Sequence, residues 1–348
     1  MSLIIQDFLK LNKSFAFIIG LLFVSCADPG EKEQVLTGEA LGTSYQVKFY
    51  HPEELDLRKG LDSVFEVINI SMSTYRNDSD ISRINSGDTS VVVDEHFKKV
   101  FRDSKKIYRE SEGYFDPTVG NLVNAYGFGP EKGSRELSEA KIDSMMQYVG
   151  FDKLELSEDN RLQKESREIY LDFNAIAKGY AVDVMGEYLE KKGVTDFLIE
   201  LGGELLAKGV NLQKGSAWTV GIDDPEQTSS QRILTAALRL KDRGMASSGN
   251  YRKFRVDTLT GNHFVHTINP LTGRSERSDL LSATVIASTC ALADGYATAF
   301  MSMGYKKSVE MLDRLEDVDV YFIYAGDQNE LKIFSTPGFD EVLIKEQA

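Results

Sequence analysis

Hydrophobic residues recur at three- and four-residue spacing in several stretches of the chain, and this spacing is typical of helices that bury one face. The clearest examples cover residues 55–72 and 94–111. Further helices are predicted over 138–149, 175–191 and 288–303. The chain therefore carries amphipathic helices spread along most of its length.

Strands are predicted where short apolar runs lie between turn-forming residues. Because helices alternate irregularly with strands, and several strands fall in hairpin pairs, the order favours an α+β fold over a regular doubly wound sheet. No linker rich in Pro, Gly or Ser interrupts residues 36–335, so we expect one catalytic domain of mixed sheets and helices, either undivided or in two lobes. The predicted strands are a pair within 36–50 with its turn at 42–44, then 153–156, 168–172, 197–201, 218–222, 233–240, 283–287 and 318–324.

The charge balance bears on the partners of the protein. The 348 residues include 40 Lys and Arg and 54 Asp and Glu, so the formal net charge is −14. A nucleic-acid surface needs clustered basic residues, and the basic residues here are interleaved with acidic ones. We therefore expect no nucleic-acid partner. Of the two cysteines, Cys290 lies among small apolar residues and reads as a buried, inert thiol rather than a nucleophile.

The first residues have the features of a secretory signal. Lys10 and Lys13 precede an apolar run over 14–24, which is too short to span a membrane and ends at Ser25 and Cys26. This end of the run resembles a bacterial lipobox, and the alternative is an ordinary signal peptide with a chance cysteine. The resemblance implies that Cys26 carries a lipid.

The predicted organisation follows from that reading. Residues 1–25 are expected to be removed and residues 26–35 to form a lipidated tether. Residues 36–335 form the catalytic domain and residues 336–348 a C-terminal tail. Two or more acyl chains would anchor the protein stably to a membrane, on the periplasmic side of the bacterial cell envelope.

Two stretches carry residues suited to a metal and a phosphate. In a helix, Asp294 and Thr298 share one face, and a carboxylate with a hydroxyl suits Mg²⁺. The alternative is a buried Asp capped within a tight helix interface. Lys178 follows a predicted strand and opens a predicted helix, where anions are favoured. The alternative there is an ordinary helix start with a solvated Lys.

Two further stretches suit a reaction centre and a ring-binding cleft. His263 and His266 have a spacing that could indicate zinc, but no third ligand is near, so a single His acting as a general base at a strand end is favoured. The stretch 113–130 is dense in aromatic residues, Gly and turn formers, which suits either a cleft that stacks a planar ring or a core-packed loop.

Taken together and in order, these stretches resemble the FAD:protein FMN transferase family, the ApbE flavin transferases. The resemblance covers residues 38 to about 334. The motifs that carry it are LGTSY, MSTYRNDSDISRIN, GYFDPTVGNLVNAYGFGP, LDFNAIAKGYAVD, ELGGE, HTINPLTG and ADGYATAF.

The resemblance implies an enzyme that binds FAD and a divalent metal, usually Mg²⁺, although Mn²⁺ is also open. Such an enzyme moves the FMN moiety of FAD to a Thr hydroxyl of a target protein and releases AMP. Typical targets are flavoprotein subunits of Nqr-type sodium-translocating NADH:quinone oxidoreductases and of Rnf complexes. Two alternatives remain: a FAD pyrophosphatase that yields FMN and AMP, and a flavin-binding lipoprotein without catalysis.

The resemblance also assigns roles to individual residues. It implies metal binding by Asp294, Thr298 and the backbone carbonyl of Ala175, and it implies that His266 is the base. Asn269 stands where Asp is common in the family, which puts in doubt any role that needs a charge at that position. Contacts with FAD are implied for Leu41, Tyr75, Asp116, Thr118, Lys178 and Ile268.

Overall fold

The computed structural model describes residues 30–130, 137–224, 233–249, 254–256, 263–265, 267–275, 278–326, 328 and 330–345. Residues from Glu31 onward form one compact unit, so the domain is undivided. Among the described residues, no helix is long and apolar enough to cross a membrane.

The strands account for every predicted strand except one. They are β1 (Lys32–Ala40), β2 (Thr43–His51), β3 (Leu154–Leu156), β4 (Leu162–Lys164), β5 (Phe197–Leu201), β6 (Glu204–Lys208), β7 (Trp218–Asp223), β8 (Leu234–Leu240), β9 (Arg243–Gly249), β10 (Phe254–Val256), β11 (His263–Val265), β12 (Leu280–Ala287), β13 (Asp319–Ala325) and β14 (Leu331–Ser335).

Five helices coincide with the five predicted stretches, and the others are short. The helices are α1 (Arg58–Met72), α2 (Asp80–Asn85), α3 (Glu95–Glu110), α4 (Gly120–Ala125), α5 (Glu139–Met146), α6 (Ala177–Lys191), α7 (Cys290–Met303), α8 (Tyr305–Leu312) and α9 (Pro337–Val342).

A sheet of eight described strands, in the order β1-β2-β5-β6-β9-β12-β13-β14, forms the centre of the fold. Its neighbouring strands pair antiparallel throughout. Alternation along the strands sends apolar side chains to both faces. In β13, Val320 and Phe322 belong to the core under the helices, whereas Tyr321 and Ile323 face the β7–β8 hairpin and α9. The predicted α+β fold is confirmed.

Helix α7 lies against the sheet and is buried on nearly all sides, as expected for a helix apolar all round. It packs on β9 and β12 and against α6 and α3. The Thr289 hydroxyl accepts a hydrogen bond from the Leu292 N–H at 3.2 Å, and Gly304 ends the helix with φ at +77°. These local caps hold α7 in the centre of the domain.

The stretch 168–172 was predicted as a strand, and that prediction is wrong. Only Tyr170 makes an isolated bridge, to Val119. The side chain of Asn85 takes the place of a neighbouring strand: it accepts from the Leu171 N–H at 2.9 Å and donates to the Leu171 carbonyl at 2.8 Å. A side chain thus satisfies backbone groups that a sheet would otherwise pair.

The segment from 336 onward, set apart in the sequence as a tail, begins with α9. Phe339 is fully buried against Tyr321. Beyond the helix, the Ile344 N–H donates to the Ala237 carbonyl at 2.8 Å. The described part of this segment therefore packs as part of the domain.

Candidate active site

Helices α6 and α7 approach most closely at Gly179. A Cβ placed there would lie 2.4 Å from the Cys290 carbonyl oxygen and 2.8 Å from the Asp294 Cβ. Because glycine has no side chain, the two backbones can meet, and the Gly179 N–H donates to Asp294 Oδ2 at 3.1 Å. This contact brings two stretches that are more than one hundred residues apart into one site.

Of the metal ligands that the resemblance implies, Asp294 lies at this contact. Asp294 is 5% exposed, and Thr298 is half-buried one helical turn further along α7. The Gly179 amide, whose partner in a regular helix would be the Ala175 carbonyl, donates to Asp294 instead of extending the helix start. The pKa of Asp294 is raised to about 7, because burial raises it more than the nearby Lys178 ammonium lowers it.

This set of donors fits a hard cation. A carboxylate oxygen, a hydroxyl and a backbone carbonyl are the oxygen ligands that Mg²⁺ takes, and that ion completes its shell with water and phosphate. Among the residues that the structure describes, no group of three or more His, Cys, Asp or Glu side chains could hold a metal ion. The chemistry of the donors therefore favours Mg²⁺ or Mn²⁺ over a thiolate- or imidazole-bound metal.

Lys178 lies in the first turn of α6 and forms an ion pair with Glu204 of β6. Burial alone would lower the pKa of Lys178, but the carboxylates of Asp294 and Glu204 outweigh it and raise that pKa. The first backbone amides of a helix lack partners within the helix and so are available to anions. At this helix start, the Ala177 N–H donates to the Phe173 carbonyl at 2.8 Å and the Gly179 N–H donates to Asp294, so both amides are already bonded within the protein.

Asp183, also on α6, caps the N-terminus of α7. Its carboxylate accepts from the N–H groups of Cys290 and Ala291, each at 2.8 Å. The pKa of Asp183 is raised to about 7, because burial raises it more than the two amide donors lower it. Cys290 itself is a buried free thiol with a raised pKa, which agrees with the inert reading.

An exposed aromatic side chain lies at one edge of the site. Tyr75 follows α1 and is 63% exposed. Its loop is tied to the approach to α6, because Asn174 Nδ2 donates to Thr74 Oγ1 at 3.3 Å. The buried carboxyl of Asp172 accepts from the Asn174 N–H at 2.8 Å. The loop that carries Tyr75 is thus joined to the segment that leads into α6.

Asp116 and Thr118 are buried and bonded within their own loop. Asp116 Oδ1 accepts from the Thr118 N–H and hydroxyl at 2.8 and 2.6 Å, and Oδ2 accepts from the Phe151 N–H at 3.2 Å. Thr118 Oγ1 in turn accepts from the Gly150 N–H at 2.7 Å. Their side chains therefore shape the loop, and any contact they make with a ligand comes through that shape.

The described part of the HTINPLTG motif, residues 267–273, forms a turn beside a small apolar cluster. Ile268 is buried with Leu122 and Tyr126. The Asn269 side chain accepts from the Leu271 N–H at 2.9 Å, so a neutral amide makes the turn without a charge. His266 lies outside the described residues, and so does Cys26. A cleft of about 200 Å³ lies beside this turn. It is lined by Thr267, Asn269, Ser278, Asp279, Met301, Ser302, Met303 and Gly304.

Leu41 lies in the turn between β1 and β2, with φ at +49°, and Gly42 follows with φ at +75°. The turn thus falls one residue earlier than predicted. Leu41 packs against the main core.

Sequence reasoning missed Glu204 and Asp183 as site neighbours. Both lie in motifs that were recognised, but their partners are distant along the chain.

Known proteins resemble this chain over most of its length. A family model described as the ApbE family matches residues 41–322. The FAD:protein FMN transferase of Haemophilus influenzae is 34% identical over 304 residues, covering 84% of this chain and 86% of the relative. The FAD:protein FMN transferase of Vibrio cholerae is 32% identical over 334 residues, covering 93% of this chain and 97% of the relative.

Solved structures show the same fold. The flavin transferase ApbE from Vibrio cholerae superposes with a TM-score of 0.79 at 31% identity, covering 90% of this chain and all of that one. The apo form of the flavinyl transferase ApbE from Pseudomonas stutzeri superposes with a TM-score of 0.79 at 29% identity, covering 90% of this chain and 97% of that one. The chain belongs to the ApbE family of FAD:protein FMN transferases.

Proposed function

We propose that the protein transfers the FMN moiety of FAD to a Thr hydroxyl of an acceptor protein and releases AMP. Membership of the ApbE family supports flavin transfer. The observation that carries the proposal is the contact of α6 with α7 at Gly179, which sets Lys178 beside Asp294. A cation close to a buried carboxylate suits an anionic dinucleotide and its counterion.

The chain's own residues would bind and orient FAD. The Lys178 ammonium is suited to a pyrophosphate oxygen, since Lys binds phosphate as a point charge. The exposed ring of Tyr75 offers a surface on which a flavin ring can stack. Leu41, Ile268 and the loop of Asp116 and Thr118 would shape the remaining walls.

Asp294, Thr298 and the carbonyl of Ala175 would hold Mg²⁺. When bound, that ion would withdraw negative charge from the phosphates and favour departure of AMP. A Thr hydroxyl is a weak nucleophile, so His266 would accept its proton as it attacks the phosphorus attached to riboflavin. Hydrolysis of FAD differs only in that water replaces the Thr hydroxyl.

The acceptor and the location are part of the proposal. Acceptors would be flavoprotein subunits of Nqr- or Rnf-type redox complexes. A lipid on Cys26 would hold the enzyme to the membrane on the periplasmic side of the bacterial envelope, where such subunits would be within reach.

The experiment is to incubate the protein with FAD, Mg²⁺ and a Thr-containing acceptor and to measure the acceptor mass. We expect the acceptor to gain one FMN moiety for each AMP released. FMN and AMP with an unmodified acceptor would indicate a pyrophosphatase, and bound but intact FAD would indicate a binding protein. Either result overturns the proposal.

Asp294→Ala removes a metal ligand and a unit of charge, so we expect no measurable transfer with either Mg²⁺ or Mn²⁺. The matched control is Asp94→Ala, which removes a carboxylate that caps α3 by accepting from the Phe97 N–H at 2.7 Å. The control should lose stability but keep transfer per folded molecule. Full transfer by Asp294→Ala, or by the wild type in excess chelator, would exclude a metal-dependent reaction.

A further inference from the structure

Glu204 is a buried carboxylate whose two oxygens have different surroundings. Its side chain is 5% exposed, and Oε1 pairs with the Lys178 ammonium. Among the described residues, no hydrogen-bond partner reaches Oε2, which is itself buried. A buried charged oxygen without a partner costs stability, so its presence calls for a role other than stabilising the fold.

The backbone holds Glu204 rigidly in this place. Leu201 and Glu204 pair at the end of the β5–β6 hairpin, and Gly202 and Gly203 form its two-residue turn with φ at +63° and +107°. Two consecutive positive φ angles are what such a tight hairpin requires. The ELGGE motif thus delivers a carboxylate from a rigid strand end to the start of α6.

Lys178 lies between two carboxylates but pairs with only one. Its ammonium is ion-paired with Glu204, and within the described part of the chain no ion pair within 4.0 Å joins it to Asp294. Asp294 nevertheless acts on Lys178 through its charge. Since the Gly179 N–H occupies Asp294 Oδ2, a Lys178 freed from Glu204 would move toward the remaining oxygen of Asp294.

We infer that Glu204 is a positioning residue, which holds the Lys178 ammonium away from Asp294 so that Lys178 meets the dinucleotide phosphates and the Asp294 carboxylate stays open. The identity of the ligand rests on the proposed function. The competing view is a purely structural ion pair. Buried ion pairs contribute little net stability, and replacing both partners is often tolerated, whereas removing one partner leaves the other charge without compensation.

The test is a double-mutant cycle read out by FAD affinity. Glu204→Gln keeps the size and one acceptor but removes the charge, and Lys178→Met removes the ammonium. FAD dissociation constants are measured by flavin fluorescence with Mg²⁺ and with chelator, and melting temperatures are measured on the same samples. The matched control is Glu200→Gln in the same hairpin, where Oε1 accepts from the Gly203 N–H at 2.9 Å.

With Mg²⁺ we expect Glu204→Gln to weaken FAD binding about tenfold, the effect of losing one charge-assisted contact. The melting temperature should change by only about 4 °C. In the Lys178→Met background, Glu204→Gln should change FAD affinity no further, because it acts through Lys178. Glu200→Gln should bind FAD as the wild type does.

Unaltered FAD affinity in Glu204→Gln overturns the inference. Losses that multiply in the double variant, or a loss of affinity that tracks a large drop in melting temperature, overturn it as well. Wild type that binds FAD but leaves every acceptor unmodified refutes the proposed function alone. Wild type that fails to bind FAD refutes both.

Discussion

In the proposed reaction, His266 is the base that accepts the proton of the attacking hydroxyl. Positioned general bases contribute about 10²–10⁴-fold to rate, so His266→Ala should slow transfer by about that factor while FAD affinity changes little. The wild-type rate should also fall as the pH drops below the pKa of the imidazole, because imidazolium cannot accept a proton. Transfer rates across pH, with FAD binding measured in parallel, check both expectations.

His263 is the control for this prediction. It is an imidazole three residues earlier in the sequence and has no part in the proposed reaction. His263→Ala should therefore be nearly silent. Equal damage from the two substitutions, or near-normal transfer by His266→Ala, would remove His266 from the mechanism.

Asp116 makes stability depend on pH. Burial raises its pKa from 3.8 to about 6, and hydrogen bonds from Thr118 and Phe151 lower it. The unfolded chain therefore releases this proton at lower pH than the folded chain. The stabilising contribution is complete below about pH 4 and is lost as the pH rises through about 6. The full loss is on the order of 3 kcal/mol.

Asp116→Asn cannot ionise, so comparing it with the wild type isolates this contribution. The advantage of the wild type in free energy of unfolding should shrink by on the order of 3 kcal/mol between pH 4 and pH 7. Denaturant unfolding of both proteins at the two pH values measures the change. An advantage that is the same at both values would show that Asp116 titrates normally.

At the scale of elements, the contact of α6 with α7 should be intolerant of any side chain at Gly179. In Gly179→Ala, the new methyl would meet the Cys290 backbone at 2.4 Å. Overpacking against backbone costs about 1–3 kcal/mol, and separating the helices should also reduce transfer. Urea unfolding and the transfer assay, performed on the same preparation, measure both effects.

Gly60→Ala is the matched control, since Gly60 also lies within a helix. A methyl at this position would meet the Tyr188 hydroxyl at 2.0 Å, but that group is the end of a side chain that can rotate away. We expect the free energy of unfolding to change by about 1 kcal/mol or less. If the two variants behaved alike, the close helix approach would have no special role.

Periodicity predicted those elements whose buried face is formed by apolar residues close together in the sequence. Helix α3 repeats apolar residues on one face, and it runs from Glu95 to Glu110 within the predicted 94–111. Strand β9 escaped prediction because its sequence, RGMASSG, is made of small residues with low strand propensity. It is a strand because β6 and β12 pair with it on either side.

At the scale of the whole molecule, the proposed lipid anchor can be tested directly. We predict that Cys26 is lipidated and that residues 1–25 are absent from the mature protein. Cys26→Ser should leave the protein unprocessed or release it to the soluble fraction, because acyl chains supply the membrane affinity. Cell fractionation combined with the mass of the N-terminal peptide tests this.

Cys290→Ala provides the control, because it alters the chain's other cysteine, which is buried in the domain. It should leave the protein in the membrane fraction. A soluble wild-type protein that still begins at Met1 would exclude the lipid anchor.

Local patterns along the chain were sufficient to predict the α+β class, five of the helices and the family, because helix periodicity and short motifs are properties of neighbouring residues. They also singled out Asp294, Thr298 and Lys178 as candidates. The contacts of these residues with their partners depend on the packing of the whole fold.

Three contacts are evident only in the folded protein: Lys178 pairs with Glu204, Asp183 caps α7, and Asn85 replaces a strand beside Leu171. Each of these contacts joins residues that are 26 or more positions apart. No local pattern encodes such a partner, because closeness across the fold depends on how the sheet and helices pack together. A buried polar group finds its partner only after that packing has excluded water.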